Sequence, residues 1–216
     1  MSFFLLAFPA LFSIVNPLGG AFIFLGATEP FSAKVRKELA RWIAIYSFAI
    51  ITASMYVGAY VLSFFGISIS VLRAAGGIVI AAAAWRMLNA PDDEEPKTRE
   101  EVAADLPATH QVSRMAFYPL TMPITTGPGT ISVAVSLGTN RPRAATELLS
   151  FFAQSLVAIV LICALVYVLY RYSAPLSRLI GPTGTVIVTR LSAFLLFCIG
   201  VQVFWNGAAE LLASLH

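Results

Sequence analysis

Asn16-Pro17-Leu18-Gly19-Gly20 and Thr125-Thr126-Gly127-Pro128-Gly129 each interrupt a long apolar stretch of the chain. Proline removes a backbone donor and glycine frees φ, so a helix carrying both is expected to break there. Each string lies about a dozen residues inside its stretch, ~20 Å at ~1.5 Å per residue, near the middle of a bilayer. A break at that depth leaves amides and carbonyls open, which is tolerated only where protein buries them or water reaches them. The freed amides of a half-helix N-terminus suit a carboxylate, and freed carbonyls suit an ammonium group or another cation. Opposed half-helix ends can therefore hold both poles of a small zwitterion, with Asn16, Pro17, Gly19, Gly20, Thr125, Thr126, Gly127 and Gly129 lining the site. The alternative use of such breaks is packing, since proline kinks are common in membrane helices.

Arg73 and Arg190 stand next to apolar runs at matching places, with Trp85 and Gln202 following them at the same spacing of twelve. An arginine within a span costs several kcal/mol unless it is paired or hydrated, which makes it a functional candidate. Two readings stay open for both arginines. Either they take a carboxylate partner or latch a gate, or they snorkel to the interface from near the start of their helices. Gln202 joins them as a candidate by its spacing. No Asp or Glu lies deep in an apolar stretch; Glu29, Glu147 and Glu210 fall near span ends, which weakens a simple buried proton relay. Coupling through those terminal glutamates, or through a cation held by backbone carbonyls, stays open.

His110 and His216 lie in a hydrophilic loop and at the C-terminus, so an intramembrane serine has no base. Cys163 and Cys198 are far apart within apolar runs and read as small buried residues. No Cys/His spacing suggests a metal, so the expectation is no enzyme activity and no cofactor.

The elements that must position these residues follow from composition. Hydrophobic residues make up 58% of the 216-residue chain and charged residues 12%, with a mean hydropathy of +0.82. A soluble domain carries roughly 25% charged residues, so this composition fits an integral membrane protein. The net charge of +3 does not point to nucleic acid, because the basic residues flank apolar runs instead of forming a patch. Residues Met1 to Thr28 carry no charge and are too long an apolar stretch for a signal peptide's core, so they are expected to stay as the first span.

About 20 apolar residues cross the hydrocarbon, and the charge-free runs then give six spans. The first covers about Phe3 to Thr28. Trp42 to Leu72 and Ala74 to Trp85 make the second and third, turning near Gly66-Ile67-Ser68. A hydrophilic loop occupies 89–114, opening Pro91-Asp92-Asp93-Glu94-Glu95-Pro96. The fourth span runs from Met115 to Thr139, the fifth from about Glu147 to Tyr170, and the sixth from about Thr185 to Ala209, after a connector from Arg171 to Arg178. Basic residues gather in the connector after span one, in the 89–114 loop and in the 171–178 connector. Positive-inside then makes the loop cytoplasmic and places both termini outside the cytoplasm.

Each half reads as a broken helix, a long helix and an arginine-bearing helix. Three spans is an odd number, so the second copy enters the membrane with opposite orientation. The expected fold is a single all-α transmembrane domain over 1–216: two inverted-topology three-helix repeats, 1–88 and 115–216, with spans one and four broken. Gly58, Gly76, Gly77 and the alanines at 81–84 allow close helix approach, within the bundle or in a homo-oligomer.

These strings resemble the MarC family of bacterial and archaeal inner-membrane proteins over essentially the whole chain. The resemblance is strongest at Asn16-Pro17-Leu18-Gly19, at Pro119-Leu120-Thr121-Met122-Pro123-Ile124-Thr125-Thr126-Gly127-Pro128-Gly129 and at Leu72-Arg73-Ala74-Ala75-Gly76-Gly77; Thr189-Arg190-Leu191 and Val201-Gln202 agree. It implies six membrane helices, and some relatives are described as transporters of small neutral amino acids such as glycine and alanine. An old label links the family to multiple antibiotic resistance, resting largely on genetic neighbourhood. The family usually shows a second proline where this chain has Phe22, which implies a gentler first break here. Together these readings predict a secondary transporter of a small neutral amino acid in the inner membrane, with the solute and membrane lipid as partners. The rival expectation is a non-transporting scaffold or assembly protein whose breaks only serve packing.

Overall fold

The computed structural model describes residues 2–28, 31–89, 109–142 and 144–214. Glu29, Arg143, His216, the acidic string at 91–96 and all of 90–108 lie outside the described residues, as does the side chain of His110. Among the described residues the regular structure is entirely helical: α1 (Phe3–Val15), α2 (Pro17–Ala27), α3 (Ala33–Phe64), α4 (Ile69–Leu88), α5 (Thr109–Met115), a π-helical segment (Ala116–Thr125), α6 (Pro128–Gly138), α7 (Ala145–Arg171) and α8 (Ser173–Ala213). Among the described residues five stretches are long and apolar enough to cross a membrane: Phe3–Ala27, Ala33–Phe64, Ile69–Leu88, Thr146–Arg171 and Thr183–Ala213. The apolar helix Pro128–Gly138 is shorter.

The expected turn between the second and third spans is at Gly66, whose φ of +69° favours glycine. Ser68 then caps α4 by accepting from the Val71 N–H at 3.2 Å. Two boundaries differ from the expectation. Residues 109–114 are helical rather than loop, and the 171–178 connector shrinks to Tyr172 (φ −101°, ψ 15°) between the end of α7 at Arg171 and the start of α8 at Ser173. Charge marks both as loops, yet apart from Tyr172 the backbone in them is helical. Pro175 falls in the first turn of α8, where no amide is missed, and the helical dihedrals fail only at Gly181 (φ 78°).

The two interrupted helices sit at the centre. Half of the apolar window of Phe3–Ala27 is buried (50%), against 11% for Thr183–Ala213. Leu11, Phe24, Leu39, Ile43, Ile159, Ile162 and Val166 form the core between α1, α2, α3 and α7. Outside it, α4 packs most extensively on α8. The approach is close because Gly77 lies against the Phe204 backbone and Gly200 and Gly207 against the backbone of Ala81 and Ala74. Small residues let helix backbones meet where lipid offers no hydrophobic drive to associate. Elsewhere α6 packs on α3 and α4, α2 on α7 and α8, α1 on α7, α3 on α7, and the π segment on α3. Cys163 is buried as expected, but Cys198 is exposed, because α8 turns most of its surface outward.

Candidate functional site

Asn16 is the whole of the first interruption. It stands in the left-handed region (φ 46°, ψ 62°), where Asn is among the few tolerated side chains, and it closes α1 while opening α2. Its N–H donates to the Phe12 carbonyl at 3.0 Å. Its side-chain oxygen accepts from the Gly19 N–H at 3.3 Å, and its amide nitrogen donates to the Ser192 carbonyl on α8 at 3.5 Å. Pro17 follows at the first helical position, where its missing donor costs nothing. Pro17, Gly19 and Gly20 are buried. A Cβ on Gly19 would lie 2.9 Å from that of Ser192, and one on Gly20 would strike the Tyr170 hydroxyl. This interruption is packed shut against α7 and α8.

The second interruption is longer. Tyr118 and Met122 leave helical dihedrals (ψ 124° and 116°), and each precedes a proline, Pro119 and Pro123, which disfavours the helical region for the residue before it. Gly127, extended at ψ −177°, precedes Pro128 in the same way. Threonines repair the ladder: Thr121 donates to the Ala116 carbonyl at 2.7 Å and Thr125 to the Leu120 carbonyl at 2.8 Å. The Thr126 N–H reaches the Thr121 carbonyl at 2.8 Å. The hydroxyls of Thr125 and Thr126 are also tied to neighbouring helices, to Tyr170 at 2.9 Å and to Ser47 at 2.7 Å. Both threonines are buried.

Pro128 occupies the first helical position of α6, as Pro17 does in α2, but Gly127 offers no side-chain cap. The first turn of α6 instead lines a cavity of about 380 Å³ together with Ile80, Arg86 and Thr125. The uncapped end of a helix carries partial positive charge, and Arg86 adds a full one. The other walls, including Ile14, Ile23 and Leu196, are apolar. Such a space can take the carboxylate of a small solute against the α6 end and its apolar part against the aliphatic walls.

A second cavity, of about 570 Å³, lies at the other end of α4 and contains Arg73, Ser136, Asn206 and Glu210. Arg73 is ion-paired with Glu210 and donates its Nε–H to Ser136 at 2.9 Å, and Ser70 donates to Glu210 at 2.8 Å. Of the two readings open for Arg73, the structure thus supplies the carboxylate partner. Arg190 and Gln202 are exposed on α8, and neither lines either cavity; Gln202 donates to Asn206 at 2.9 Å, one turn along its own helix. The structure therefore brings Thr125, Gly127 and Gly129 together at one cavity, Arg73 at another, and leaves the first interruption in the packed core.

Tyr170, Ser47 and Ser136 were not singled out from sequence. Tyr170 bridges the two interruptions, touching Gly20 and bonding Thr125, but it reads only as the end of an apolar run. Glu210 had a signal, being the last carboxylate of the chain at a span end. Among the described residues no group of His, Cys, Asp or Glu could hold a metal ion.

The family model described as the MarC family integral membrane protein matches residues 1–212. The chain belongs to the MarC family. Among its relatives in that family, the UPF0056 inner membrane protein MarC of Escherichia coli strain K12 is 34% identical over 212 residues, covering 95% of this chain and 94% of that protein. A UPF0056 membrane protein of Archaeoglobus fulgidus is 35% identical over 220 residues, covering 100% of this chain and 96% of its own length. No solved structure matches the chain. A multi-pass membrane protein is what both the family and the five membrane-length helices support.

Proposed function

We propose that this protein is a secondary transporter of small neutral, zwitterionic amino acids such as alanine or glycine in the inner membrane, with export driven by an ion gradient as one mode. The observation that carries the reading is the uncapped first turn of α6 opening, with Arg86, onto a cavity of about 380 Å³. A helix broken in the membrane is expected where irregular backbone lines a cavity, and transporters place substrates at such ends.

The six-span inverted repeat is part of this proposal. The matched packing of α3 on α6 and α7 on α2, and of α4 on α6 and α8 on α2, supports it, as do the prolines that open α2 and α6. The sixth crossing would be the interrupted segment from Thr109 to Gly138, between 1–88 and the end of the chain. One end of the bundle carries Lys34, Lys37, Arg41, Arg86, Arg114 and Arg171, which favours the cytoplasmic side for that end and the outside for both termini. The outward apolar faces of α4 and α8, with Ile78, Phe194, Leu195 and Trp205 exposed, suit lipid or a second copy of the chain.

Ligand-dependent melting of the detergent-solubilised protein tests the solute class. Alanine and glycine should raise the melting temperature, while propionate and ethylamine, which carry one pole each, should raise it less. Equal shifts with all four, or none with any, contradict the reading. The packed first interruption favours one second reading, a scaffold whose breaks serve packing, and that reading requires no shift with any amino acid.

A further inference from the structure

We infer that the two cavities are the two halves of one solute path along the seam between α4 and α6, and that Ile80, seated against Gly129, is the barrier between them. The inference rests on the transporter reading and names its route. Four elements serve both cavities in the same order. α4 contributes Arg73 to the first and Val79 to Met87 to the second; α6 contributes Ser132 to Leu137 and then Pro128 to Thr130. α1 contributes Leu6 and Ala10 to the first and Ile14 to the second, and α8 contributes Val203 to Glu210 and then Leu196. The cavities therefore lie end to end, with Arg73 and Arg86 about 20 Å apart along α4.

What separates them is about one helical turn of contact. A Cβ on Gly76 would lie 2.6 Å from that of Ser132, and the Ser132 hydroxyl donates to the Leu72 carbonyl at 3.1 Å. One turn along α4, the Ile80 side chain occupies the space that the missing Gly129 side chain leaves, and Ile80 also lines the second cavity. Moving Ile80 away from Gly129 breaks no polar bond, and the Ser132–Leu72 hydrogen bond in the same seam must also give before the two spaces join. Each half carries one guanidinium, and among the described residues the one carboxylate in their lining, Glu210, pairs with Arg73, so the uncompensated charge is that of Arg86 in the second half. The second half thus favours solutes bearing a carboxylate or another single anionic group.

The test uses full-length protein in proteoliposomes with Cys163 and Cys198 replaced by serine. Single cysteines are placed at Val133→Cys in the first cavity and Ala83→Cys in the second. A membrane-impermeant sulfonate-bearing methanethiosulfonate is added to one face at a time. Each cysteine should react from its own face only, and at Ala83→Cys the ratio of the sulfonate rate to the trimethylammonium rate should exceed that of a free thiol. Ile80→Ala should speed labelling from the far face by ~tenfold or more, and Ile80→Val by less. Labelling of both cysteines from the same face, of neither from any face, or a far-face rate unchanged in both Ile80 variants overturns the inference. Failure of the transport reading has a different signature: the labelling pattern holds, but no amino acid crosses the membrane.

Discussion

Asn16 serves two helices at once, ending α1 in a left-handed conformation and capping α2 through its side chain. Alanine there loses the cap and bears the left-handed strain, so Asn16→Ala should cost about 2 kcal/mol. Asn16→Gly keeps the backbone freedom and should stay within ~0.5 kcal/mol of the parent. SDS titration of the micellar protein reads both, and equal losses would show that the side chain's bonds outweigh the backbone. Tyr170→Phe removes the hydroxyl between Gly20 and Thr125 while Thr125 keeps its bond to the Leu120 carbonyl, so the same titration should show a loss of about 1 kcal/mol. Such residues differ in how far sequence reveals them. Asn16, Gly127 and the prolines announce themselves by backbone chemistry. Tyr170 and Ser47 matter through partners tens of residues away, and a distant contact leaves no mark in the local pattern.

Among elements, the most extensive packing is between α4 and α8. Gly77→Leu pushes a side chain into the Phe204 backbone and should destabilise the protein by ~1–3 kcal/mol, whereas Ala75→Leu on the exposed face of α4 should be near neutral. A melting series of the two variants checks this; matching values would mean that the helices separate freely. The breaks at Asn16 and before Pro128 and the turn at Gly66 are legible because proline, glycine and chain length dictate them. The extent of the π segment and the helical start of α8 are not. Charge suggests a connector over 171–178, but α8 starts at Ser173 and runs past Arg178 until Gly181 breaks the dihedrals. The Arg73–Glu210 pair joins the start of one helix to the end of another, so only the packing of α4 on α8 reveals it.

On the scale of the whole molecule, the core of α1, α2, α3 and α7 carries an outer pair, α4 and α8, and both cavities lie where that pair faces α1 and α6. The two interruptions are not equivalent in this arrangement. One is sealed by Ser192 and Tyr170, and the other opens beside Arg86. An inverted-repeat transporter exchanges such roles when it changes the face to which its site is open. The proposal therefore turns on whether a solute crosses at all. Flux of radiolabelled alanine and glycine into proteoliposomes, with and without a pH gradient, measures that directly. The account predicts saturable flux that is lost in Gly129→Leu, which fills the space beside Ile80, and kept in Ala75→Leu. Flux no greater than in protein-free vesicles, or flux that Gly129→Leu leaves unchanged, would contradict it.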